Sequence, residues 1–250
     1  MYYERFFFVL DNKSLNNRIG IIGDVHSECL RLEKAIEFFL KNRIDLVVCT
    51  GDIADGKGDI NATCELLSAH SIVCVRGNHD RWLLSGQVRD IPDAHSCRDL
   101  TSESRSYLEG LAIQELIKLP QGEMLLCHGV LDRDMGKIWP GTERTSIERS
   151  EPLDDLLVRE APRIIVNGHI HYRTIIDFED CIVINAGSLK GERAGVTIID
   201  FETDMVSGYL IGEDLSIEEA GNVSLSDRTD RTVWKNTQSF NGRWTPVTLS

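Results

Sequence analysis

Arg18-Ile19-Gly20-Ile21-Ile22-Gly23-Asp24-Val25-His26 is a short apolar run that stops at a carboxylate and an imidazole. Its length and its branched side chains suit a strand. Leu32, Ala35, Ile36, Phe39 and Leu40 follow at helical spacing, with Glu28, Arg31, Glu33, Lys34 and Glu37 largely on the other side. Ser27 stands where an N-cap is expected, and the helix should end near Lys41-Asn42. A second apolar run, Ile44-Asp45-Leu46-Val47-Val48, leads to Gly51-Asp52. Strand, helix and strand within about thirty residues make a parallel crossover unit, which sets the class as α/β.

The pattern repeats downstream. A stretch rich in Gly and Asp (52–59) precedes a helix at 62–69 and a strand at 72–75, which ends in Gly77-Asn78-His79-Asp80. Between 81 and 119 the periodicity weakens; Trp82-Leu83-Leu84 offers the start of a helix and 104–111 another. Met124-Leu125-Leu126-Cys127 is a strand running into His128-Gly129. Residues 130–150 are polar and aperiodic, carry Arg133, Lys137, Trp139 and Arg144, and read as a long loop of the kind that more often serves function. A short helix at 153–158 precedes the strand Ile164-Ile165-Val166 and then Gly168-His169-Ile170-His171. From there the chain turns β-rich, with strands at 174–178, 181–184, 195–201 and 205–211; Glu179-Asp180 and Glu202-Thr203-Asp204 suit the turns between them. Beyond residue 212 the sequence is polar apart from Trp234, Phe240 and Trp244, and reads either as a loosely packed tail or as late strands over the sheet. The division expected is one domain over 1–211 and an extension, 212–250, packed on it.

Composition narrows the function classes. The chain has 250 residues, 42% hydrophobic and 27% charged, enough for one large domain with a substantial core. No apolar run approaches the roughly 20 residues that span a bilayer, so no membrane role is expected. Phe6-Phe7-Phe8-Val9-Leu10 is too short for a signal peptide, follows Glu4, and reads as a strand. The seven cysteines, at 29, 49, 64, 74, 97, 127 and 181, form no C-x-x-C pair, and free reduced thiols point to the cytoplasm. A net charge of −13 argues against any general grip on nucleic acid. Bound metal can still reverse the local sign and admit an anionic substrate.

Taken alone, Gly77-Asn78-His79-Asp80 is as much a turn as a site. Five times, however, an apolar strand ends in metal-capable residues: Asp24 with His26, Asp52, Asn78 with His79, His128, and His169 with His171. Open α/β sheets place their sites at the carboxyl ends of strands, so these five ends should converge. His70 and His95 lie outside the clusters and read as surface or capping residues. The donor set is imidazole, carboxylate and one amide oxygen without thiolate, which suits Mn, Fe or Zn better than Ca. Seven ligands are too many for one open metal and suffice for two if a carboxylate bridges.

These residues resemble the calcineurin-like metallophosphoesterase superfamily, whose signature is G-D-x-H, G-D, G-N-H-[ED], a histidine and G-H-x-H. All five parts are present as Gly23-Asp24-Val25-His26, Gly51-Asp52, Gly77-Asn78-His79-Asp80, His128-Gly129 and Gly168-His169-Ile170-His171, spanning about residues 18 to 200. The resemblance implies a four-layer α/β/β/α sandwich of two mixed β-sheets flanked by helices, with the catalytic domain over 1–211. It implies two divalent ions, Mn first and Fe or Zn next. Asp24, His26 and His171 would hold one, Asn78, His128 and His169 the other, and Asp52 would bridge. His79 would be the catalytic imidazole, oriented by Asp55. The chain departs from the family's protein phosphatases: Gly51-Asp52-Ile53-Ala54-Asp55-Gly56-Lys57 lacks the arginine of G-D-x-V-D-R-G, and Asp80 replaces Glu. Asn185-Ala186-Gly187-Ser188 resembles the N-P-G-S turn of small bacterial phosphodiesterases, with Ala for Pro.

The implied activity is hydrolysis of small phosphoesters or nucleotides by a metal-bridging hydroxide, with His79 donating a proton to the leaving oxygen. Two divalent ions against Asp24, Asp52 and a hydroxide leave about +1, which invites a phosphate on an otherwise acidic protein. Dinucleoside polyphosphates are an alternative substrate, and a catalytically silent binding scaffold of the same fold is the alternative of another class. Arg81, Arg133 and Lys137 are candidate phosphate contacts, and Trp139 a candidate base contact. Trp82 and Trp139 read equally as core or loop anchors.

Overall fold

The computed structural model describes residues 17–249, so the strand expected at 6–10 lies outside the described residues. The chain runs β1 (Arg18–Ile22), α1 (Cys29–Lys41), β2 (Leu46–Cys49), α2 (Ile60–Ala69), β3 (Val73–Cys74), α3 (Asn78–Leu84), α4 (Ser102–Gly110), β4 (Gln114–Leu119) and β5 (Gly122–Cys127). It continues through α5 (Glu151–Arg159), β6 (Ile164–Asn167), β7 (Arg173–Phe178), β8 (Ile182–Ala186), β9 (Gly195–Asp200), β10 (Met205–Ile211), β11 (Ile217–Ser224), β12 (Val233–Trp234) and β13 (Val247–Thr248).

Strand alternation decides the layers. In β1, Ile19 and Ile21 enter the core between two sheets, whereas Ile22 enters the core beneath α1. Gly20 faces that helix as well; a Cβ there would lie 2.9 Å from the Phe39 ring, so its absence lets α1 dock. The first sheet has the order β11-β10-β9-β1-β2-β3, parallel from β1 to β3 and antiparallel from β1 out to β11. The second has the order β12-β7-β8-β6-β5-β4, with β13 also paired to β7. Its central strands β5, β6 and β8 are parallel. Between the sheets Ile19, Ile21, Val48 and Ile199 of the first meet Met124, Val166 and Ile184 of the second. Leu32, Phe39, Leu67, Leu83 and Leu108 bring α1 to α4 onto the outer face of the first sheet. Leu153 of α5 covers the outer face of the second, together with Trp234, Phe240 and Trp244. This is the four-layer α/β/β/α sandwich.

Local readings are revised or completed in four places. Ser27 is not a cap: its hydroxyl donates to Ile53 O at 3.0 Å, and α1 starts two residues later with Glu28 at the N-cap position. The segment 77–80 is not a free turn, because Asn78, His79 and Asp80 form the first turn of α3 behind Gly77. Strand β4 is paired to β5 through the whole register from Gln114↔Cys127 to Leu119↔Gly122. The polar stretch after 212 contributes β11 to one sheet, and β12 and β13 to the other. The long loop 130–150 has no strand; it carries two isolated bridges, Val130↔Arg133 and Trp139↔Glu148, and its Pro140 and Gly141 carbonyls accept the N–H groups of Gly242 and Trp244. All seven cysteines are free. Among the described residues no helix is long and apolar enough to cross a membrane.

Candidate active site

Parallel strands β1 and β2 of the first sheet, and β5 and β6 of the second, end side by side, and the side chains that follow them meet there. Asp24, Asp52, His26, Asn78 and His128 are each at most 2% exposed. Two groups form, with donor atoms within 4.8 Å of one another: Asp24, His26, Asp52 and His171, and Asp52, His128 and His169. Asp52 belongs to both. Asn78 completes the second group, its Oδ1 lying 3.0 Å from His128 Nε2.

The backbone makes this approach possible. A Cβ on Gly77 would fall 2.2 Å from Asp52 Oδ1, and one on Gly168 would fall 2.1 Å from Asp24 Oδ1. His26, Asp52, Asp55, His169 and His171 have φ between 46° and 69°, the sharp conformation that turns each side chain back over its strand end. Asn185-Ala186-Gly187-Ser188 supports the floor: Asp24 N donates to Gly187 O, Ser188 Oγ to Asp24 O, and Asn185 Nδ2 to Gly168 O.

Hydrogen bonds fix which atoms face inward. Asp24 accepts from Thr50 Oγ1 at 3.0 Å and from the His169 N–H at 2.9 Å, and His171 Nε2 lies 3.1 Å away. Asp52 Oδ1 accepts from the His79 N–H, and its Oδ2 faces His128 Nε2 at 3.3 Å. The Nδ1–H of His26 is directed at Ala54 O and Asp55 O, and that of His128 at Thr50 O. Both rings therefore present Nε2 to the centre, as a metal ligand anchored by a backbone carbonyl does. The Nε2 atoms of His26 and His171 lie 3.0 Å apart, and His169 Nε2 is buried without a hydrogen-bond partner. Converging lone pairs of this kind fit divalent cations.

Electrostatics agree with that fit. Burial lowers His26 to about 4 against the pull of Asp52 and Asp24, and burial with the charge of His128 lowers His169 to about 4. For His128 burial is outweighed by Asp24 and Asp52, which raise it to about 10. Asp52 is buried too, yet His128 holds it well below the usual carboxylate range.

Residues 18–204 match the family described as the calcineurin-like phosphoesterase superfamily domain. The chain belongs to this superfamily. Its phosphoesterase class follows, and the family together with the His/Asp cluster points to divalent-metal binding. It is similar to Phosphodiesterase MJ0936 of Methanocaldococcus jannaschii, 22% identical over 184 residues that cover 73% of this chain and 90% of that protein. Two solved structures share the fold. A metallophosphoesterase from Sphaerobacter thermophilus superposes with a TM-score of 0.58 at 21% identity, covering 77% of this chain and 87% of the other. The E. coli phosphoesterase Yfce gives 0.50 at 20% identity, covering 84% and 100%.

Around this calcineurin-like centre the remaining candidates separate. His79 Nδ1 lies 2.7 Å from Asp55 Oδ2, and Asp55 in turn accepts the His95 N–H at 2.9 Å. Burial would raise Asp55, and these bonds hold it below its ordinary value. His95 is thus no surface residue: it is half-buried, and its Nδ1 accepts the Asp55 N–H. His70 is exposed at the C-terminus of α2, as expected. Asp80 has no part in orienting His79; its oxygens accept the N–H groups of Ile53, Ala54 and Gly77. Arg81 makes a two-bond ion pair with Asp134 at 2.5 and 3.1 Å, tying α3 to the loop after His128. Arg133 and Lys137 line a cleft of about 620 Å³ with Arg149, Glu151 and Gln238. Trp139 stands edge-on to Trp244 and Tyr172.

Sequence reasoning missed Arg89. Its Nη1 lies 3.0 Å from His79 Nε2, and its guanidinium covers the Trp82 ring at 5.1 Å. No motif or period marks it, since it sits in the irregular stretch between α3 and α4.

Proposed function

We propose that this protein hydrolyses small phosphoesters or nucleotides, using two divalent ions, Mn in first place, in the cytoplasm its free cysteines suit. Asp24, His26 and His171 would hold one ion, Asn78, His128 and His169 the other, and Asp52 both. The observation that carries this reading is the presence of Asp52 in both donor groups, with Oδ2 turned between them. When bound, such ions activate water and polarise phosphoryl oxygens.

The chain's own residues supply the rest. Asp55 holds His79 by Nδ1, so Nε2 is directed across the centre, 3.8 Å from Asp52 Oδ2. From there it is placed to hand a proton to the oxygen that leaves phosphorus. Burial of the carboxylates and imidazoles keeps bulk water from competing for these contacts. Lys137, whose charge reaches His169, and Arg133 on the same cleft offer cationic ends for a second anionic group. That cleft favours nucleotides, dinucleoside polyphosphates among them, over the simplest esters. A silent scaffold would have no need of the full donor set, and every expected ligand is present.

The test is hydrolysis of p-nitrophenyl phosphate and bis-p-nitrophenyl phosphate with Mn²⁺ and with chelator, followed by a nucleotide panel. Turnover that needs metal supports the proposal. Metal-loaded protein that cleaves neither ester nor any nucleotide would favour the scaffold.

A further inference from the structure

We infer that Arg89 is a phosphoryl-binding residue, giving up its contact with His79 Nε2 for a non-bridging oxygen of the substrate. The inference rests on the phosphoesterase reading of the site and adds to it a cation that no strand-end motif supplies.

A guanidinium carries five N–H donors and no acceptor. The contact of 3.0 Å between Arg89 Nη1 and His79 Nε2 therefore requires the ring nitrogen to accept, with the ring proton on Nδ1 toward Asp55. This occupies the one nitrogen of His79 that faces the centre, and it satisfies only one of the arginine's donors. Among the described residues no carboxylate pairs with Arg89, whereas its neighbour Arg81 is committed to Asp134. Position 56, where the protein phosphatases carry an arginine, is a glycine here.

Trp82 keeps Arg89 at the right height. Its ring lies 5.1 Å from that of His79 and under the guanidinium of Arg89, so imidazole and cation share one platform. His79 Nε2 is 3.8 Å from Asp52 Oδ2, so the cation meets the same ring nitrogen that approaches the carboxylate common to both donor groups. An anionic phosphoryl oxygen accepts from guanidinium about twice as strongly as a neutral acceptor does, so the exchange runs toward substrate. It also frees His79 Nε2 to take up from solvent the proton that the proposed reaction has it hand to the leaving oxygen. The stretch between α3 and α4 that carries Arg89 carries His95 too, and so serves both the proton donor's support and the substrate's charge.

The experiment is calorimetric titration of inorganic phosphate into the metal-loaded full chain, with Arg89→Ala and Arg89→Lys beside the wild type, and metal content and melting temperature measured for each. Expected is a loss of phosphate affinity of about 10- to 100-fold in Arg89→Ala with metal content unchanged. Arg89→Lys should recover part of it, and in turnover the effect should fall mainly on KM. Added guanidinium ion should restore part of the activity of Arg89→Ala, which a purely structural role for the side chain would not allow. Equal phosphate affinity in wild type and Arg89→Ala, a loss explained by missing metal, or no phosphate binding by wild type overturns the inference. Phosphate binding that depends on Arg89 in a protein that turns over no ester would leave Arg89 standing and remove the hydrolase reading. Turnover by a wild type whose phosphate affinity ignores Arg89 would do the reverse.

Discussion

Asp55 and His95 grip each other by two hydrogen bonds: the His95 N–H donates to Asp55 Oδ1 at 2.9 Å, and the Asp55 N–H donates to His95 Nδ1 at 3.0 Å. The pair is 40 residues apart in sequence and sets the carboxylate that orients His79. His95→Ala leaves the Asp55 N–H without its acceptor, a cost of about 1–3 kcal/mol. The expected outcome is a kcat lower by about tenfold, a part of what a general acid supplies, with metal content unchanged. Metal analysis and steady-state kinetics on one preparation check it.

His79→Ala should lower kcat by about 10²–10⁴-fold and leave both metals in place. His79 approaches Asp52 Oδ2 only to 3.8 Å and is held by Asp55 instead. Elemental analysis showing the variant stripped of metal would make His79 a ligand and end its separate role.

Asp52→Asn should weaken both metals and abolish turnover, since Asp52 belongs to both donor groups. In the wild type, Mn²⁺ at a hundred times its dissociation constant should raise stability by about 2.7 kcal/mol per site. Thermal melts with and without chelator read this directly. A melting temperature indifferent to metal would count against the site.

Metal uptake should release protons. Without metal, His128 has its pKa raised from 6.5 to about 10, so the charged form stabilises the fold fully below about pH 6.5 and loses that contribution as pH rises through about 10. His128 Nε2 faces Asn78 Oδ1 and Asp52 Oδ2, where the ion would sit, so the ion must displace that proton. Apparent affinity should therefore rise with pH across the neutral range. Calorimetry in buffers of different ionisation enthalpy measures the protons released, and heats independent of buffer would refute the assignment.

Asp80→Ala should destabilise the fold by several kcal/mol, because three backbone N–H groups, of Ile53, Ala54 and Gly77, lose one buried acceptor. Asp80→Asn should cost less, as one oxygen remains. Urea unfolding of the two variants distinguishes a structural carboxylate from a catalytic one.

Much of the candidate site was legible because its donor side chains follow strands, and strands betray themselves by branched apolar runs. Asp24, Asp52, His128 and His169 each stand one to three residues past such a run. What stayed hidden has no period to reveal it. Strand β11, Ile217–Ser224, is an edge strand with three consecutive exposed residues, Glu218, Glu219 and Ala220, so no alternation of apolar side chains announces it. Arg89 and His95 lie in irregular chain and reach the site by tertiary folding alone. Asp80 was visible as part of a motif, but its work on backbone N–H groups 26 and 27 residues away could be seen only in three dimensions.

His26, Asp52, Asp55, His169 and His171, with φ between 46° and 69°, occupy a left-handed backbone region that suits glycine far better and asparagine somewhat better. Each such residue stores about 1–3 kcal/mol of strain that the surrounding sandwich must hold. These positions are thus where stability and chemistry trade against each other most directly. A descendant released from catalysis would gain by relaxing them, and its drift would show first as glycine or asparagine at 26, 52, 55, 169 and 171.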